Sequence, residues 1–108
     1  KKMGRPWDVG KAFEHSAPCS ELALASECGH PEQGAITLEV NGELRQSGNL
    51  NQMIWKIPEI IATLSTFFEL RPGDLILTGT PAGVGPVKRG DKLSGHIEDV
   101  GSLEIRVV

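Results

Sequence analysis

Residues 35–48 read AITLEVNGELRQSG, and no other stretch narrows the fold as sharply. Ile36, Leu38 and Val40 alternate with Thr37 and Glu39, the period of two expected of a strand with one buried face. Asn41-Gly42 follows at once. A type I′ turn needs positive φ at both central positions, and Asn-Gly supplies it at little steric cost. The sequence therefore predicts a hairpin, with Glu43 to Gln46 as the returning strand. The tail predicts a second hairpin: Leu93, Gly95 and Ile97 alternate, Asp99-Val100-Gly101 turns, and Leu103, Ile105 and Val107 alternate back.

One amphipathic helix is expected from near Pro58, because proline fits a first helical turn where its missing N–H is no loss. Ile57, Ile61, Leu64 and Phe68 then share a face, with Ile60 and Phe67 beside them, and this face is expected to pack on the sheet. Arg71-Pro72-Gly73-Asp74 ends the helix as a turn. Leu75 to Thr78 is expected as a short strand buried on both faces. Residues 1–11 are basic and turn-rich, and 19–34 read as loop. The fold class that follows is mainly β with one or two helices, an α+β arrangement. At 108 residues the chain makes one domain or less.

The corner after the expected third strand, LILTGTPAGVGPVKRGDKL (75–93), invites a phosphate-loop reading that its spacing refuses. A P-loop needs G-x4-G-K-[ST], and the fifth residue after Gly79 is Val84. Gly83 and Gly85 run into Pro86, Val87 and Lys88, so no helix N-terminus is aimed at an anion. The plain reading is a turn in which Gly83 and Gly85 supply positive φ. It leaves Thr78, Gly79 and Thr80 unexplained: at a strand end, two hydroxyls and an open backbone amide suit a small carboxylate.

The net charge of −3 and pI near 5.6 argue against a nucleic-acid or anionic-membrane partner. No apolar run approaches the ~20 residues of a membrane helix. The chain opens Lys-Lys-Met-Gly, with no initiating Met and no signal-peptide pattern, and is expected to be the later part of a longer protein. Two cysteines, Cys19 and Cys28, are too few for a disulfide framework and suit a reduced, cytoplasmic protein. His15, Cys19, Cys28 and His30 form an H-x3-C-x8-C-x-H set that matches none of the familiar zinc spacings, so a small zinc-binding or interaction module is the weaker alternative.

Two segments carry a resemblance. GRPWDVGKAFEHSAP (4–18) and LILTGTPAGVGPVKRGD (75–91) resemble signature segments of the fumarylacetoacetate hydrolase family, nearest to its acylpyruvase and fumarylpyruvate hydrolase branch. TLEVNGELRQSGNLNQMIWKIPEIIATLS (37–65) resembles the hairpin and helix between them. The resemblance covers essentially the whole chain and is specific in L-T-G-T-P-x-G-V-G-P combined with the upstream G-K-x-F.

It implies that residues 1–108 are the C-terminal part of a β-roll catalytic domain that holds Mg²⁺ or Mn²⁺ and forms a cytoplasmic homodimer when full length. The implied substrates are 2,4-dioxo acids (acylpyruvates, fumarylpyruvate preferred), met in aromatic catabolism. Water attacks the distant ketone and the C–C bond breaks to a pyruvate enolate. The same resemblance admits 2-oxo acid decarboxylases, tautomerases, isomerases and hydratases. It places Lys11, in GKAF, in the site as a catalytic and substrate-binding cation beside the metal. It places Thr80, in TGTP, on the substrate carboxylate. His15 is a candidate for the site edge. The family's metal-binding Glu-x-Glu occurs nowhere in this sequence, so it implies no metal ligand here, and the chain alone is expected to be inactive.

Overall fold

The computed structural model describes residues 15–108. Its centre is a four-stranded antiparallel sheet of β1 (Ala35–Val40), β2 (Glu43–Asn49), β3 (Lys92–Ile97) and β4 (Gly101–Arg106), in the order β2-β1-β3-β4. Helix α1 (Ala25–Cys28) precedes the sheet, and a 3-10 turn (Leu50–Gln52) and helix α2 (Ile57–Ser65) follow β2. The fold is α+β, mainly β, as the alternation implied.

Both hairpins form for the expected local reasons. Asn41 and Gly42 have φ of 53° and 81°, the positive pair that a type I′ turn requires. Asp99, with φ of 62°, turns the second hairpin, where Val100 N donates to Ile97 O at 3.1 Å. Pairing of Val40 with Leu93, Leu38 with Gly95 and Gly95 with Leu103 puts Ile36, Leu38, Val40, Leu93 and Leu103 on one face. Thr37, Glu39, Ser94, His96, Ser102 and Glu104 take the other, where His96 Nδ1 and Ser102 Oγ lie 2.7 Å apart. Val40 is the one buried apolar side chain among the described residues, at 3% exposure.

A polar clasp joins the hairpins. Asn41 Nδ2 donates to Asp91 Oδ1 at 2.9 Å, Lys92 N donates to Asn41 Oδ1 at 2.9 Å, and Lys88 N donates to Asp91 Oδ2 at 2.8 Å. One side chain thus holds the turn of one hairpin against the start of the other. The amide of Lys88 first, then that of Asn41, keep the Asp91 carboxyl below its ordinary pKa of 3.8.

Three expectations need correction. Leu75 to Thr78 is not a strand buried on both faces: it joins no ladder among the described residues, and Leu75 and Leu77 are 59% and 75% exposed. Apolar composition makes a segment competent for a sheet, but a strand exists only where another strand completes its hydrogen bonds, and none of β1–β4 does so here. Helix α2 starts as expected, with Lys56 N donating to Glu59 Oε1 at 2.9 Å and Pro58 in the first turn, but it stops at Ser65. Phe67 and Phe68 therefore leave the stripe and are exposed. The helix also makes little contact with the sheet, and Ile57 and Ile61 stay exposed. Finally, the 19–34 loop contains α1, and β2 runs three residues past Gln46, to Asn49.

Candidate functional site

The corner at 78–83 is built by docking onto β2, an edge strand of the sheet. The chain leaves α2 through the turn at 71–74, where Arg71 N donates to Asp74 Oδ2 at 2.8 Å and Gly73 takes φ of 94°. It then runs through Leu75, Ile76 and Leu77 into Thr78-Gly79-Thr80-Pro81.

β2 receives it at an irregularity. Leu38 pairs with Gln46 and Glu39 with Leu44, so Arg45 is an extra residue in β2, a bulge. Gly83, with φ of 104°, sits against that bulge, where a Cβ would collide with the Arg45 carbonyl oxygen. Gly48 plays the matching part further along: its absent Cβ leaves room for Pro81, whose Cβ would be 3.2 Å away. Between these two approaches Gln46 reaches out, with Nε2 donating to Thr80 Oγ1 at 2.8 Å and to Pro81 O at 2.7 Å. Of the two glycines expected to supply positive φ, Gly83 does and Gly85 does not. Gly85 precedes Pro86, and the residue before a proline is steered to extended backbone.

The docked corner borders an open cleft of about 430 Å³. Apolar Ile36, Leu50 and Ile60 share its lining with Thr78, Gly79 and Thr80, and among the described residues no ionisable side chain lines it. Asn49 shapes the near end: its Oδ1 accepts from Asn51 N at 3.0 Å and Gly34 N at 3.2 Å, and its own N–H donates to Gln52 Oε1 at 2.8 Å. The described residues of the cleft present neutral polar groups on an apolar base, a surface that can orient an oxygen-bearing small molecule while they supply no charge to one.

Of the sequence candidates, Thr80 lies at this cleft and is exposed. Lys11 falls outside the described residues. His15 is exposed with φ of 60°. Cys19 and Cys28 are free thiols bonded to nearby carbonyls, Ala17 O and Gly29 O. Among the described residues no three His, Cys, Asp or Glu side chains gather where they could hold a metal ion, so His15, Cys19, Cys28 and His30 make no zinc site. The described residues likewise do not fit the divalent metal that the family resemblance implies. Sequence reading missed Gln46. No local signal marks it: β2 has one apolar residue and no alternation, and the face of Gln46 is set by the bulge at Arg45.

Comparison with known proteins places this architecture. The model of the fumarylacetoacetate (FAA) hydrolase C-terminal region matches residues 1–108. The chain is 51% identical over 107 residues to fumarylpyruvate hydrolase of Ralstonia sp, covering 99% of this chain and 55% of that protein. It is 50% identical over 113 residues to oxaloacetate tautomerase YcgM of Escherichia coli strain K12, covering 100% and 49%. The crystal structure of fumarylpyruvate hydrolase from Pseudomonas aeruginosa, in complex with Mn²⁺ and pyruvate, superposes with a TM-score of 0.94 at 54% identity, covering 99% of this chain and 46% of that one. The chain spans about half the length of these relatives.

Proposed function

This chain belongs to the fumarylacetoacetate hydrolase family, and from that premise we propose that it forms the C-terminal part of the catalytic domain of an acylpyruvate hydrolase. The observation that carries the reading is the docked corner, which seats an exposed Thr80 hydroxyl at a neutral, largely apolar cleft. The Mn²⁺–pyruvate complex of a relative with the same fold supports a 2-oxo acid as the occupant.

In this reading the Thr80 hydroxyl binds the substrate carboxylate. The described lining of the cleft carries no cation to balance that charge, and Lys11, matched to the family's site lysine, supplies it. The ammonium also stabilises negative charge as it develops on the leaving enolate, where a fixed cation in a site shielded from water is worth most. Hydrolysis adds water across the C–C bond: the acyl carbon gains the hydroxyl and leaves as a carboxylic acid, and the enolate carbon gains the proton to give pyruvate. In this reading a divalent metal, of the kind in the Pseudomonas aeruginosa complex, takes its ligands from outside the described residues.

A second reading, oxaloacetate tautomerase, is supported by the 50% identity to the Escherichia coli enzyme. Both substrates present a carboxylate next to a 2-oxo group, so Thr80 and Lys11 serve either. Assaying the complete protein with fumarylpyruvate and with oxaloacetate separates them. Cleavage is expected to exceed tautomerisation in kcat/KM by more than about tenfold, a difference of about 1.4 kcal/mol in transition-state stabilisation. The reverse ranking makes the protein a tautomerase.

A further inference from the structure

Gln46 is 9% exposed, on the strand position that pairs with Leu38, and its amide admits only one orientation. Pro81 O, 2.7 Å away, is a carbonyl and can only accept, so the group facing it is the NH₂ and not Oε1. The same nitrogen lies 2.8 Å from Thr80 Oγ1 and has no lone pair to offer, so the threonine oxygen accepts. The Thr80 proton must then point elsewhere. No acceptor among the described residues takes it, and the side chain is exposed at the cleft.

We infer that Gln46 is a positioning residue: by donating to Thr80 Oγ1 it fixes that hydroxyl as a donor directed into the cleft, the polarity a carboxylate ligand needs. This rests on reading Thr80 as the carboxylate ligand. A hydroxyl free to rotate would present a lone pair to the anion in part of its orientations and lose attraction in each of them. Gripping Pro81 O as well, the amide fixes backbone and side chain of the corner together, while Gly83 and Gly48 permit the close seating that brings Gln46 within reach.

A double-mutant cycle on the complete protein tests this, with oxalate, a non-reacting mimic of the pyruvate enolate, as the probe. Oxalate Kd and thermal midpoint are measured for the unmodified protein, Gln46→Met, Thr80→Val and the double variant. Methionine keeps the length of glutamine and removes its donors. Gln46→Met is expected to raise the Kd roughly tenfold, the loss of about one net hydrogen bond. In the Thr80→Val background it is expected to change the Kd by less than about twofold, because the group it acts through is gone.

Equal loss in both backgrounds would show that Gln46 acts on the fold, and the inference would fall. Loss from Thr80→Val with none from Gln46→Met would remove the positioning role and leave Thr80 as a ligand. No loss from Thr80→Val would overturn the reading of Thr80, and this inference with it. Should Gln46→Met not fold, the nearly isosteric Gln46→Glu takes its place in the cycle. A carboxylate accepts the Thr80 proton and turns it from the cleft. Because the carboxylate also opposes Pro81 O and repels oxalate in either background, Gln46→Glu is expected to lose more affinity with Thr80 present than in the Thr80→Val background, and equal loss in the two would overturn the inference.

Discussion

Gly83 lies so close over Arg45 that a Cβ on the glycine would collide with the Arg45 carbonyl oxygen. That approach fixes the corner on the bulge of an edge strand, with Thr80 three residues before it. Because the contact is backbone against backbone, no rotamer change can relieve it.

Gly83→Ala in the complete protein is therefore expected to cost about 1–3 kcal/mol, combining the collision with a positive φ that alanine adopts poorly. Oxalate binding should weaken with it, since the corner must shift. Gly85→Ala is the control: nothing lies within 4 Å of its would-be Cβ and its φ is not positive. It is expected to be neutral or to stabilise by up to about 1 kcal/mol through reduced freedom of the unfolded chain. Thermal melts and oxalate titrations of the two variants check the pair, and equal effects would count against docking through Gly83.

Lys11→Met in the complete protein keeps side-chain length and removes the charge. Because the ammonium both balances the substrate carboxylate and stabilises the developing enolate, kcat should fall on the order of 10²-fold and KM should rise as well. Steady-state kinetics decide it. A raised KM at constant kcat would assign Lys11 to ground-state binding of the carboxylate.

Residues 1–108 alone are expected to show no turnover of an acylpyruvate with Mg²⁺ or Mn²⁺ above the metal-only background. The described residues gather no carboxylate or imidazole set for a metal, and they place no charged side chain at the cleft. Pyruvate release from the purified chain is the measurement. Turnover above background would place the whole catalytic apparatus within this sequence.

Asp91 gives the fold an acid dependence. Its carboxyl is held below 3.8 chiefly by the Lys88 amide and then by Asn41. A carboxylate with a depressed folded-state pKa contributes stability that is complete above the unfolded value of 3.8 and is lost as pH falls through the folded value. Asp91→Asn in the complete protein should thus lower stability near neutral pH and flatten its decline on acidification. Denaturant melts at about pH 7 and about pH 3 are the check, and parallel curves for the two proteins would remove Asp91 from the acid response.

What the sequence determined by itself is local. The alternation at Ile36, Leu38 and Val40 and the positive φ of Asn41 and Gly42 follow from residue identity within a few positions, and the first hairpin formed as read. Pro58 and Glu59 likewise marked the start of α2. The family resemblance was equally legible, because its motifs are contiguous strings. Tertiary structure decided everything that depends on a distant partner. Leu75 to Leu77 are apolar enough for a buried strand, yet composition cannot say which strand will pair with them, and among the described strands none does. The bulge at Arg45 appears only when Leu38 and Glu39 choose their partners in β2. Gln46 sits 34 residues before Thr80, and no local propensity joins the two. Their hydrogen bond exists because a glycine without a Cβ lets one backbone settle on another, and such a contact is a property of two surfaces in space.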